Sequence, residues 1–150
     1  MIDGWHVLAE PPAPAVGVDL GAAGRVVIRC DNNRGYHSYV LAISAPAAIA
    51  GDWIKARVAG KTVHFTVTSD RDNDSTWLAT SMTTRYPDNM SEVYDAVDAM
   101  RRANASFEIR SDAFRMIVPW QGLRDAMAPM VVTCGDPAEL SRQVKARAEP

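Results

Sequence analysis

The sequence predicts an α+β fold: an antiparallel sheet of about seven strands or more, curled into a β-sandwich or open barrel, with two helices packed on one side. Three observations lead there. Short apolar runs alternate with polar residues at period two and are separated by turn-forming clusters. Two later segments, around Val93 and Leu123, switch to helical spacing. The chain has 150 residues, 47% of them hydrophobic and 23% charged, enough for one domain with its own core.

The elements follow in order. Trp5-His6-Val7-Leu8 reads as an edge strand, and Pro11-Pro12-Ala13-Pro14 as a stiff, extended connector. Val16 to Leu20 is a further short strand, and Gly21 to Gly24 a turn. Arg25-Val26-Val27-Ile28-Arg29-Cys30 and Tyr39 to Ile43 flank Asp31-Asn32-Asn33-Arg34-Gly35, residues that tolerate positive φ, and so form a hairpin. Ala45 to Asp52 is a loop or short helical turn. Trp53 to Val58 and Thr62 to Thr68 enclose Ala59-Gly60-Lys61, a second hairpin signal. Ser69 to Ser75 is a polar turn before the strand Thr76 to Met82.

A helix spans about Ser91 to Ala103, with Asn89 as N-cap and Glu92 completing a capping box. It buries Val93, Val97 and Met100, flanked by Tyr94 and Ala96, and leaves Glu92, Asp95, Arg101 and Arg102 wet. Asn104 ends it in a left-handed conformation. Phe107 and Ile109 alternate with Glu108 and Arg110 in a half-buried strand. Ser111-Asp112 turns the chain into a second strand from Phe114 to Val118. Leu123, Met127 and Met130-Val131 then share one face of a helix that Cys134 closes. Asp136-Pro137 caps a polar helix from Ala138 to Ala148. The domain boundaries follow: an edge strand and proline-rich connector over 1–20, a β-rich core over 21–136, and a polar helix or tail over 137–150.

A net charge of −2 argues against nucleic acid as a partner, since phosphate binding needs a basic face. No run approaches the roughly 18 apolar residues of a spanning helix. Met1-Ile2-Asp3 lacks the basic and apolar regions of a signal peptide, so the chain is either cytoplasmic or a mature form whose leader has been removed. Cys30 and Cys134 fit one long-range disulfide, closing a loop of roughly 100 residues, or else two buried reduced thiols.

Candidate sites are few. Asp70, Asp72 and Asp74 have the spacing of calcium-loop ligands, but Ser75 and Ser81 stand where that loop needs glycine and glutamate, so a solvated turn is expected. His6, His37 and His64 are too scattered for a zinc site. No nucleophile-base motif or phosphate loop is present, and no cofactor is expected. Arg101, Arg102, Arg110 and Arg115, with Arg124 nearby, are the candidate contacts for an acidic partner. Trp53, Trp77 and Trp120 read as core or sheet-face aromatics.

Val26 to Cys30, Trp53, Ala99-Met100-Arg101-Arg102, Phe107-Glu108-Ile109 and Gly122-Leu123-Arg124-Asp125-Ala126 through Cys134 carry a resemblance. In this order they resemble the VasI-like accessory proteins found with type VI secretion systems and, more loosely, the invasion-associated locus B proteins. The resemblance implies an exported β-rich domain with the two cysteines bonded, periplasmic or secreted, and carries over no functional residues. The expectation is a non-enzymatic protein-interaction domain whose partner is a secretion-system component. The alternative is an immunity-type inhibitor that blocks a toxin enzyme.

Overall fold

The computed structural model describes residues 4–33, 36–45, 53–69, 77–81, 87–112 and 114–148. Among these residues nine strands form one antiparallel sheet: β1 (His6–Ala9), β2 (Ala15–Asp19), β3 (Arg25–Asn33), β4 (Tyr36–Ala45), β5 (Trp53–Val58), β6 (Lys61–Ser69), β7 (Trp77–Ser81), β8 (Phe107–Arg110) and β9 (Arg115–Val118). Their spatial order is β1-β2-β3-β4-β7-β6-β5-β8-β9, and the sheet curls into a half-barrel. The described residues also form three α-helices, α1 (Pro87–Arg102), α2 (Leu123–Cys134) and α3 (Pro137–Ala148), giving an α+β fold, with the polar C-terminal segment supplying the third.

Period-two alternation decides which way each strand faces. Val26, Ile28 and Cys30 of β3 lie opposite Ile43, Leu41 and Tyr39 of β4, all of them buried on one inner face. The same face continues through Ala79, Val67, Phe65, Val63, Ala56 and Val58 to Ile109, Met116 and Val118, in one core cluster. Burying each Val, Leu, Ile, Phe or Met side chain on this face contributes about 1.5–3 kcal/mol. Between β5 and β6, Ala59 (φ 49°) and Gly60 (φ 85°) make a tight two-residue turn with both residues left-handed. That backbone matches the twist of a hairpin.

The Pro11–Pro14 segment differs from the expected extended connector. Residues 11–13 form a turn, the Pro11-Pro12 peptide is cis, and β1 folds back on β2 with Val7 opposite Val16. The pairing of the two flanking strands sets the geometry here, outweighing the extended preference of a proline run. The half-barrel is then tied end to end. The Trp5 N–H donates to the Gln121 carbonyl at 3.1 Å, and the Trp5 indole Nε1 donates to the Pro119 carbonyl at 2.7 Å. A Cβ at Gly4 would collide with the Gln121 carbonyl, so only glycine permits this approach.

Strand β7 is five residues long between neighbours of ten and nine. At its end the Ser81 hydroxyl accepts the Leu41 N–H at 3.0 Å, and α1 packs against both β4 and β6. Val93, Ala96, Val97 and Met100 of α1 are fully buried, as their spacing predicts. Two terminal expectations fail. The helix starts at Pro87, so Asn89 lies inside it, and Glu92 bonds His64 of β6 instead of a capping amide. Asn104 does not adopt positive φ; the Ala103 N–H closes the helix on the Met100 carbonyl.

Leu123, Met127, Met130 and Cys134 form the buried face of α2, while Pro129 stands within the helix on its exposed side. Cys134 is bonded to Cys30 of β3, with Cα atoms 6.5 Å apart and a sequence separation of 104. The next residue accepts the Tyr39 hydroxyl through the Gly135 carbonyl at 2.6 Å. Asp136 then caps α3, its Oδ1 accepting the Ala138 N–H at 2.8 Å, the cap expected from the sequence. The calcium-like carboxylates Asp70, Asp72 and Asp74, the loop 46–52 and the side chains of His37, Trp53 and Trp77 lie outside the described residues.

Candidate partner-binding surface

The four arginines singled out in the sequence fall into two unlike pairs. Arg101 is not a wet surface residue: its side chain is 17% exposed and lies 3.3 Å from Asp98 and 3.2 Å from Asp136. Its Nε is sealed from solvent without a hydrogen-bond partner. Helix α3, packed on α1, brings Asp136 to it, a contact 35 residues away in sequence. Burial raises the pKa of the Asp136 carboxyl, but the Ala138 N–H and the Arg101 guanidinium outweigh this and hold it below its ordinary value. Arg102 is exposed and paired with Asp98 at 2.9 Å. Asp95, also expected wet, accepts the Ser141 hydroxyl at 2.5 Å and faces Lys145 at 2.9 Å. The end of α1 is therefore a joint between helices.

Arg110 and Arg115 belong to a different surface, together with a residue that inspection of the sequence missed. The outward positions of β5, β8 and β9 carry Lys55, Arg57, Arg110, Arg115 and Ile117, all exposed, and the half-buried Glu108. In the sheet register Arg57 stands opposite Arg110, and Arg110 opposite Arg115. Three guanidinium-bearing side chains thus form one row across three adjacent strands, with Cα atoms about 4.5–5.5 Å apart from strand to strand. Like charges directly opposite each other are destabilising. Glu108 offsets part of this, lying 2.5 Å from Arg115 and 3.5 Å from Arg110, and Arg57 donates to the Thr62 hydroxyl at 3.4 Å. One carboxylate serves two arginines there, leaving the row cationic.

Chemically the row offers an array of donors matched to carboxylates or phosphates, with the 55% exposed Ile117 beside it for apolar contact. No single sequence window could have revealed it. Arg57 and Arg110 are brought together because β5 pairs with β8, a crossover that no local signal fixes.

Two other features lie apart from the row. His64 Nδ1 lies 2.9 Å from Glu92, a half-buried pair joining β6 to α1. A cleft of about 230 Å³ opens beside the start of α2, lined by Arg101, Asn104, Trp120, Arg124 and Asp125. Trp120 is 37% exposed in its wall, not a core aromatic. Among the described residues no helix is long and apolar enough to cross a membrane. Comparison with protein-family models, with curated proteins and with solved structures finds no match for this chain.

Proposed function

We propose that this protein is an exported binding domain that recognises an acidic surface of a partner protein through the row Arg57-Arg110-Arg115. The observation that carries the reading is the row itself: three mutually repelling cations held on adjacent strands, where an acidic partner would relieve the repulsion. The disulfide supports an oxidising compartment such as the periplasm, because such bonds persist there and are rare in a reducing cytosol. The resemblance to VasI-like proteins points to a secretion apparatus as the setting.

The test is affinity capture from envelope extract, with a photo-crosslinker at Ile117 to identify what touches the row. Capture should weaken with added salt and disappear in the triple variant Arg57→Ser, Arg110→Ser, Arg115→Ser, while the melting temperature holds or rises slightly. Equal capture by the variant, or a crosslinked partner with no acidic patch, would refute the reading.

A further inference from the structure

A groove of about 500 Å³ runs between α1 and α3. The two helices pack antiparallel, Arg101 meeting Asp136 near one end and Asp95 meeting Lys145 further along. Met90 and Tyr94, four residues apart, supply one wall from α1. Leu140, Val144 and Arg147 share one face of α3 and supply the other. Met90, Leu140 and Val144 pack partly buried against the core, so much of the lining is apolar. The volume falls within the roughly 300–1,000 Å³ of small-molecule sites.

Two hydrogen-bond donors of this groove lack an acceptor. Tyr94 meets Tyr39 edge to face, ring centroids 6.0 Å apart, yet the two hydroxyls differ. Tyr39 donates to the Gly135 carbonyl, whereas the Tyr94 hydroxyl has no hydrogen-bond partner among the described residues. Nor is it sealed from solvent like the Arg101 Nε. In a residue only 2% exposed, that opening is the groove it lines. A hydroxyl so deeply buried is costly to leave unpaired, and an acceptor from outside would satisfy it. Arg147, exposed in the last turn of α3, pairs with no carboxylate among the described residues. Its charge reaches the same hydroxyl: burial raises the Tyr94 pKa, and the Arg147 guanidinium opposes that rise.

We propose that this groove binds a medium-chain fatty acid, its carboxylate held by the Arg147 guanidinium and the Tyr94 hydroxyl and its alkyl chain laid along Val144, Leu140 and Met90. Charge selects the head group. Arginine only donates, and a protonated phenol beside it donates too, so the complement is an acceptor-only anion. One guanidinium balances one carboxylate. The lining selects the tail. From Arg147 back to Leu140 the α3 wall runs about 10 Å, room for an extended alkyl chain of medium length. Apolar side chains along that path cover the chain and leave the charged end at the exposed Arg147. The groove lies on the helices and is separate from the arginine row of the sheet, so occupancy of one leaves the other open.

Titration calorimetry of the intact, disulfide-bonded chain with octanoate, octanol and acetate tests this. Octanoate should bind one to one. Octanol, which keeps the chain and loses the charge, should bind about tenfold more weakly, as the loss of a charge-assisted hydrogen bond implies. Acetate, which keeps the charge and loses the chain, should give no measurable binding. Arg147→Gln and Tyr94→Phe should each weaken octanoate about tenfold and leave octanol unchanged, a split that mere loss of packing would not produce. Arg142→Gln removes the same charge from another part of α3 and should leave octanoate binding as it is. Failure of octanoate to bind overturns the proposal, as does octanol binding equally well. So does an Arg142→Gln loss as large as that of Arg147→Gln, which would mark a diffuse charge effect.

Discussion

Replacing Cys30 and Cys134 together by alanine removes the single covalent tie between β3 and the end of α2. The bond closes a loop with a sequence separation of 104. In the chain-entropy account, closing a loop of that size restricts the unfolded chain by about 4.7 kcal/mol. Alanine avoids burying a hydroxyl at either site, where the cysteines are 1% and 5% exposed. The loss is therefore mostly the loop term. Against the roughly 5–15 kcal/mol that holds a typical domain together, this is a large fraction. For a chain of this size it corresponds to a fall in Tm of about 10–20 °C. Urea unfolding followed by tryptophan fluorescence measures it, and the slope should steepen, because the uncrosslinked chain exposes more surface on unfolding. Wild type unfolded in strong reductant should superimpose on the variant. Protein from an oxidising compartment, alkylated without reduction, should show no free thiol by mass. A variant within about 1 kcal/mol of wild type would refute the entropic argument, and two alkylated cysteines would remove the staple itself.

Tyr39→Phe deletes the donor to the Gly135 carbonyl and should cost about 1–2 kcal/mol by chemical denaturation. Burial pushes the Tyr39 hydroxyl well above the ordinary value of 10.0, so the folded state holds its proton where the unfolded chain releases it. That stability is complete below the ordinary value and is lost as pH rises beyond it; melts in the alkaline range should lose this slope in the Phe variant. Asp136→Ala removes the α3 cap and one of the two carboxylates facing Arg101, and should cost about 0.5–2 kcal/mol. Because the folded Asp136 titrates below its ordinary value, its contribution is present above the unfolded pKa and fades as pH falls through the folded one. Wild type and the Ala variant should therefore converge in acid, and parallel curves down to full protonation would refute the assignment.

The elements legible in the sequence are those whose signals are local. Alternation in Arg25–Cys30 and Phe107–Arg110, the Ala59-Gly60 turn, the buried face of α1 and the Asp136-Pro137 cap each depend on neighbours within a few residues. What escaped depends on distant chain. The reversal at Pro11–Pro14 follows from β1 pairing with β2, and the burial of Arg101 from α3 docking on α1. Sequence inspection took Arg101 and Arg110 as one basic cluster because they are near in the chain. The sheet order separates them in role and gives Arg110 the company of Arg57 instead. Glu92 misled for a similar reason. Its spacing from Asn89 fits a capping box, yet the helix begins two residues before Asn89 and the carboxylate turns to His64.

The Cys30–Cys134 bond also divides the chain mechanically. Residues 31–133 lie inside the closed loop, together with most of the sheet, all of α1 and nearly all of α2. Tension applied between the two termini passes directly through the sulfur bridge and bypasses that segment. Stretching can peel away β1, β2 and part of β3 at one end and α3 at the other, but it cannot lengthen the loop while the bond is intact. The arginine row, carried by β5, β8 and β9, sits wholly within the shielded part. A partner gripping that row while the chain ends are pulled would hold a surface whose covalent path bears no load.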